Sequence, residues 1–139
     1  MKRPLYALLA VLAAVALPAR ADWELVRGND NQRLSIDPKS VKSRGAETSF
    51  KYLIDFREDQ GEVGGRYRSI VVGATLRCTD RQMAMTSFEL YSGSTGQGVQ
   101  LAQPEPSAAE KRFQPVANGS SDEDLYQRLC EKPGAKPKK

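Results

Sequence analysis

The sequence contains no histidine and only two cysteines, Cys78 and Cys130. Histidine is the commonest metal ligand and the commonest general acid–base residue, so its absence weighs against most metal sites and most acid–base enzymes. Zinc needs about four clustered ligands, which two cysteines 52 positions apart do not supply. Nucleophile-elbow, P-loop and zinc-binding motifs are also absent. The sequence therefore predicts a non-enzymatic protein without a catalytic residue, cofactor or metal site.

Long apolar runs are missing except near the N-terminus. The run at residues 5–17 follows two basic residues and precedes the small-residue triplet Ala-Arg-Ala. It is shorter than the roughly 20 residues that a transmembrane helix needs. This order is typical of a secretory signal peptide, which we expect to span residues 1–21. Because residue 22 is Asp22 rather than cysteine, lipoprotein processing is not expected, and the protein is predicted to be periplasmic, secreted or on the cell surface.

The domain that remains has little net charge. The full chain holds 21 Lys and Arg against 17 Asp and Glu, which gives a net charge of +4. Three cations lie in the expected leader, and four lysines and one glutamate lie at residues 131–139, so residues 22–130 carry 14 basic and 16 acidic residues, a net charge of −2. Nucleic-acid binding needs clustered basic residues, and none is expected here. The Lys- and Pro-rich segment 131–139 predicts a flexible tail with at most weak electrostatic contact to membranes.

The two cysteines are predicted to form a structural disulfide. Export places them in an oxidising compartment, where a matched pair in a small domain normally becomes oxidised. The Cys-x-x-Cys spacing of a redox pair is absent. A Cys78–Cys130 bond closes a loop of 52 residues and, in the chain-entropy treatment, contributes about 4 kcal/mol to stability.

Alternating apolar and polar residues predict about six short strands. The segments are 22–26, 32–37, 48–56, 67–78, 82–92 and 99–102. Gly73, inside the fourth segment, predicts a bulge or a close approach by another element. The polar, glycine-rich residues 57–66 predict a loop, and the proline-containing residues 103–119 predict an irregular segment.

The third and fourth strands are predicted to place apolar side chains on one face. These residues are Phe50, Tyr52, Ile54 and Phe56, then Ile70, Val72, Ala74, Leu76 and Cys78. Such alternation predicts a half-buried sheet, so these aromatic side chains are assigned to the core. The alternative is an aromatic binding face that also includes Trp23 and Tyr67. Asp55 and Glu89 are interpreted as solvated, and the acidic loop residues Glu58, Asp59 and Glu62 do not match a calcium-loop pattern.

Residues 120–130 form the one segment whose sequence predicts a helix. Ser120 and Glu123 form a capping-box pattern, and Leu125 and Leu129 lie four apart on one helical face, next to Cys130. The predicted fold class is α+β: an antiparallel meander sheet of about six strands, packed against one short C-terminal helix that a disulfide ties on.

The order of these segments resembles the surface-adhesin protein E domain of Gram-negative bacteria, from Trp23 to Cys130. The residues that carry the resemblance are the Tyr-Arg-Ser strand ending in Cys78, the Tyr-Ser-Gly triplet at 91–93 before a glycine-rich turn, and the terminal Leu-Tyr-x-x-Leu-Cys helix. The resemblance implies a six-stranded antiparallel sheet with a disulfide-tied helix, and binding of host matrix or serum proteins. It also implies haem binding, for which this chain lacks histidine, the commonest ligand.

We therefore expect an exported, non-enzymatic binding module of the surface-adhesin E type with an unidentified protein partner. Two alternatives remain: a periplasmic envelope-accessory protein of the same fold without an adhesive role, and a small-ligand or haem carrier. The ligand-binding residues stay unknown at this point. An exposed edge strand at residues 98–102 would also allow a homodimer.

Overall fold

The computed structural model describes residues 21–61, 65–101 and 104–131. The predicted signal peptide, apart from Ala21, and the predicted tail, apart from Glu131, lie outside these residues. The strands are β1 Glu24–Gly28, β2 Gln32–Ile36, β3 Lys42–Arg44, β4 Glu47–Gln60, β5 Tyr67–Arg77, β6 Gln82–Tyr91 and β7 Gln114–Pro115. The helix α1 spans Ser121–Tyr126 and continues as a π-helical turn over Gln127–Glu131.

All strands join one antiparallel sheet in the order β1-β2-β4-β5-β6-β7. β3 pairs with β4 as well, so β2 and β3 share one edge of that long strand. β2 occupies the part of β4 near Ile54, and β3 occupies the part near Thr48. The predicted α+β meander with one C-terminal helix is therefore confirmed.

The core lies between one face of the sheet and α1. It consists of Val26, Leu34, Ile36, Phe50, Tyr52, Val72, Ala74, Leu76, Met83, Val116 and Leu125. Leu76 and Leu125 are fully buried, and complete burial of such a side chain stabilises a protein by about 1.5–3 kcal/mol. The predicted alternation is confirmed for Phe50 and Tyr52. Phe56 is the exception, because it lies outside this cluster and packs edge-on against Tyr67.

The helix begins as its sequence predicts. The Ser120 side chain caps it by accepting from the backbone N–H of Glu123. The Glu123 carboxylate reaches back to the backbone N–H of Gly119 at 2.6 Å and also accepts from Arg81 at 2.8 Å. Arg81 lies in the β5–β6 turn with a φ of 52°, and its guanidinium also donates to Asn118. The hairpin turn therefore holds the start of the helix.

Gly73 is both a bulge position and a close approach, as predicted. The pairing of β5 with β6 shifts register between Gly73 and Ala74. A Cβ atom on Gly73 would lie 2.5 Å from Ser87 Oγ and 2.8 Å from Thr86 Oγ1. Only glycine leaves room for both β6 side chains at this point.

The ends of the strands differ from the alternation pattern. β4 continues to Gln60, through residues predicted as a loop, although its pairing with β5 is irregular after Asp55. Arg68 bridges the irregular part by donating to the carbonyl oxygens of Phe56 and Arg57. A side chain thus replaces the missing ladder bonds, which strand periodicity does not reveal.

Strand pairing after β6 also differs from the prediction. Within the described residues, the predicted strand at 99–102 makes one isolated bridge, between Gln100 and Tyr91, rather than a strand. The free edge strand on which the homodimer expectation depended is therefore not formed there, and dimerisation stays a prediction. β7 forms instead within the segment predicted to be irregular, where Gln114 pairs with Met83. Across the described ranges, we find no helix with the length and apolar character required to span a bilayer.

Candidate functional site

The sheet face opposite α1 carries a second, smaller set of buried residues. Strand register places Ser35, Leu53, Val71 and Glu89 in one row across β2, β4, β5 and β6. Leu53 and Val71 are buried at 1% and 6% exposure. The row changes from apolar in the middle to charged on β6, and α1 does not cover it. This face is the candidate functional site.

A turn at residues 93–97 folds back over one end of this face. Ser69, which is fully buried, donates its hydroxyl to the carbonyl oxygen of Gly93 at 2.6 Å and accepts from the backbone N–H of Gly96 at 2.9 Å. Gly96 has a φ of +69°, and a Cβ atom there would lie 3.3 Å from a Val71 methyl group. One buried hydroxyl therefore holds the turn against the sheet, and glycine permits the close contact.

Between this turn and the N-terminal residues lies an open groove of about 380 Å³. Val71 contributes its apolar floor, and Trp23 and Tyr91 contribute aromatic surface. Trp23 is the single tryptophan of the chain and is half-buried. The other groove residues are Ala21, Asp37, Lys51, Glu89, Thr95, Gly96 and Gln97. This groove combines an apolar centre with polar margins.

Three side chains form a polar network in the groove. The Tyr91 hydroxyl donates to Glu89 Oε2 at 2.8 Å, and Lys51 Nζ lies 3.9 Å from Glu89 Oε1. Gly73 is directly opposite Lys51 on β5 and has no side chain, so the lysine reaches across β5 towards β6. Desolvation, together with the hydrogen bond and the negative charge of Glu89, raises the pKa of Tyr91 to about 12. Tyr91 therefore remains a neutral donor at physiological pH.

The expectation that Asp55 and Glu89 are merely solvated is wrong. Both are half-buried, and Asp55 Oδ1 accepts from the backbone N–H of Thr95 at 3.1 Å. Asp55 thus supports the turn, and Glu89 organises Lys51 and Tyr91. The sequence signal was incomplete, because alternation places these residues on the second face of the sheet but does not show what packs there.

The predicted disulfide is present between Cys78 and Cys130, whose Cα atoms are 5.4 Å apart. It ties the π-helical turn after α1 to the end of β5, on the face opposite the groove. The bond leaves no free cysteine in the described residues.

The described residues offer no cluster of three or more metal-ligating side chains. Of the acidic loop, Glu62 lies outside the described residues, and Asp59 lies 3.6 Å from Arg68 in an ion pair. The groove pairs its one basic side chain, Lys51, with the Glu89 carboxylate.

Comparison with known proteins identifies the family. Residues 23–131 match the family model for surface-adhesin protein E. This chain belongs to the surface-adhesin protein E family. The predicted resemblance is therefore confirmed, and the matched residues include both cysteines, all seven strands and α1.

Solved structures agree with the surface-adhesin protein E assignment at the level of the fold. Crystal form II of Haemophilus influenzae protein E superposes with a TM-score of 0.65 at 18% identity, covering 84% of this chain and 93% of that chain. Protein E from non-typeable Haemophilus influenzae gives a TM-score of 0.60 at 18% identity, covering 81% and 78%. At this identity the similarity concerns the fold alone. A search of curated proteins gave no significant match.

Proposed function

We propose that this protein is an exported, non-enzymatic module that binds a protein partner through the groove between Trp23 and Tyr91. In this proposal residues 1–21 are a cleaved signal peptide, residues 22–130 are the binding domain and residues 131–139 are a flexible tail. The family description, a surface adhesin, supports export and binding. The single observation that carries the groove assignment is the open groove between Trp23 and Tyr91, on the sheet face that α1 does not cover.

The composition of the groove is suited to a protein partner. Protein interfaces concentrate aromatic side chains at an apolar centre and place polar groups at the rim. Trp23, Tyr91 and Val71 provide the centre, and Lys51 and Glu89 provide charged groups. The groove is open, so it admits an extended chain segment more readily than an enclosed small molecule. Host matrix and serum proteins are the partner class that the resemblance to surface adhesins implies.

Binding of the mature chain to purified matrix and serum proteins tests the proposal, with biolayer interferometry as the readout. We expect at least one saturable partner. Lys51→Glu is expected to raise its Kd about tenfold, because it places two carboxylates side by side in the groove. Lys42→Glu is the matched control, since Lys42 is an exposed β3 residue with the same charge change.

Tryptophan fluorescence supplies a second readout from the same samples. Trp23 is the only tryptophan, so a tryptophan-free partner segment entering the groove should shift the emission of this one residue. The groove proposal is lost if no panel protein binds saturably, or if Lys51→Glu and Lys42→Glu bind equally well.

Location separates an adhesin from a periplasmic accessory protein. Protease added to intact cells should degrade a surface-exposed protein and spare a periplasmic one until the outer membrane is permeabilised. We expect degradation on intact cells, with a known periplasmic protein protected in the same sample. Complete protection would contradict the adhesive role and favour the accessory role.

A further inference from the structure

A second cavity, of about 390 Å³, lies on the other side of the 93–97 turn and is lined by three arginines. Arg33 comes from β2, Arg57 from β4 and Arg68 from β5. We call this cavity the arginine pocket. Asp30 and Asp55 also line it, so cations exceed anions by one among its lining residues.

The three guanidinium groups differ in the hydrogen bonds and ion pairs that they make. Arg68 is fixed by its bonds to the carbonyl oxygens of Phe56 and Arg57 and by its ion pair with Asp59. Arg57 makes one long bond, 3.5 Å, to the carbonyl oxygen of Asp30. Arg33 is exposed and makes no ion pair or side-chain hydrogen bond in the described part of the chain. Two of the three arginines therefore retain donor capacity.

Arg33 remains unpaired for a structural reason. Its residue partner across the ladder is Asp55, the obvious carboxylate for it. Asp55 instead accepts from the backbone N–H of Thr95 and holds the turn. Asp55 therefore turns one carboxylate oxygen to the turn, and it forms no ion pair with Arg33 in the described residues.

Neutral donors complete the lining. The side-chain oxygen of Asn29 accepts from the backbone N–H groups of Asn31 and Gln32, at 2.8 and 2.9 Å, so its amide NH₂ is the end left for a ligand. The Ser94 hydroxyl lines the same cavity. A guanidinium fork binds a carboxylate through two parallel hydrogen bonds, and amide and hydroxyl donors add further contacts. Because the two aspartates leave a net excess of one cation in the lining, the pocket matches a singly charged carboxylate better than a dianion.

The arginine pocket adjoins the groove. Ser94 lines the pocket and the next residue, Thr95, lines the groove. A ligand segment that crosses this turn contacts both. We propose that the arginine pocket binds an acidic side chain, Asp or Glu, of the same protein partner that occupies the groove. This inference rests on the proposed function and adds a requirement to it: the partner segment carries a carboxylate beside its apolar residues.

A titration of the mature chain with a capped hexaglutamate peptide tests the pocket directly. The readout is the NMR signals of the arginine side-chain Nε–Hε groups. We expect saturable shifts for Arg33 and Arg57, and about fivefold weaker binding in Arg33→Gln and in Arg57→Gln. Arg112→Gln removes the same charge from an exposed loop outside the pocket and should bind like the wild type.

Two further probes identify the ligand chemistry. A capped hexaglutamine peptide should cause no saturable shift, because it lacks the carboxylate. A heparin-derived hexasaccharide should bind no more tightly than hexaglutamate. The proposal is overturned if hexaglutamate and hexaglutamine behave alike, if Arg112→Gln loses binding as Arg33→Gln does, or if only the sulfated sugar requires Arg33 and Arg57.

The pocket and the groove can fail separately. If Lys51→Glu weakens partner binding while the arginine variants bind hexaglutamate normally, the pocket assignment is wrong and the groove proposal stands. If the arginine variants lose hexaglutamate while Lys51→Glu leaves partner binding unchanged, the groove proposal is wrong and the pocket stands as a carboxylate site.

Discussion

The phenolic hydroxyl of Tyr126 donates a hydrogen bond to the backbone carbonyl oxygen of Cys78 at 2.8 Å. Cys78 is also joined to Cys130, one helical turn after Tyr126. Two independent links, one covalent and one a hydrogen bond, therefore connect the C-terminal helix to the same residue at the end of β5.

The hydrogen bond should contribute measurably to stability. We expect Tyr126→Phe to lower the free energy of unfolding by about 1 kcal/mol, because a half-buried hydroxyl and a strand-end carbonyl lose their partner. Urea denaturation measures the change. Tyr67→Phe removes the same atom from a hydroxyl without a partner in the described residues and should change stability by less than about 0.5 kcal/mol. Equal effects of the two changes would contradict a stabilising role for this bond.

Removal of the disulfide should cost more. The double substitution Cys78→Ser with Cys130→Ser opens a loop of 52 residues and is expected to lower the free energy of unfolding by about 4 kcal/mol. Urea denaturation of the oxidised wild type, the double variant and the reduced wild type provides the comparison. The free energies of unfolding of the double variant and the reduced wild type should agree within about 1 kcal/mol. A double variant as stable as the oxidised protein would refute the structural role of the bond.

Gly73 should not tolerate a methyl group. Gly73→Ala places a Cβ atom 2.5 Å from Ser87 Oγ and 2.8 Å from Thr86 Oγ1, and we expect a loss of about 1–3 kcal/mol from overpacking. Adding Ser87→Ala should recover part of the loss, since it removes the nearer atom. Gly65→Ala is the control, because a Cβ atom there meets nothing within 4 Å. Equal losses of thermal stability in Gly73→Ala and Gly65→Ala would contradict the close approach.

The stability difference between the wild type and Asp122→Asn should depend on pH. Burial raises the pKa of the Asp122 carboxyl above its usual value. A raised folded-state pKa means that the protonated form is favoured in the folded protein, so the stability it contributes is present at low pH and is lost as the pH rises through the folded pKa. Asp122→Asn should therefore gain stability relative to the wild type between about pH 3 and 7. Urea denaturation across that range measures the gain, and a constant difference would contradict it.

Much of the fold follows from local patterns. The alternation of Phe50 and Tyr52 predicts a buried face, Ser120 with Glu123 predicts the helix start, and Gly73 predicts the bulge. Each pattern reports backbone geometry over a few residues, where the period of a strand or the needs of a helix end are fixed. The disulfide was predicted from composition and compartment, since two cysteines leave a single possible pairing.

Other features escape such patterns because side chains and distant strands decide them. Phe56 continues the apolar alternation but lies beyond the core and packs on Tyr67. Val26 enters the core because a register shift interrupts β1 between Leu25 and Arg27. In the part of segment 99–102 that the structure describes, Gln100 forms a single bridge with Tyr91, and β7 takes a place on the same edge.

Residue types and short-range patterns were enough to predict few reactive residues, alternating strands, one capped helix and a cysteine pair. These follow from residue chemistry and short-range backbone geometry. The positions of the groove and the arginine pocket depend on tertiary structure, because the groove joins Trp23, Val71 and Tyr91 from separate segments and the arginine pocket joins three different strands. Strand order and the folded-back turn arise from long-range pairing, which local periodicity does not encode.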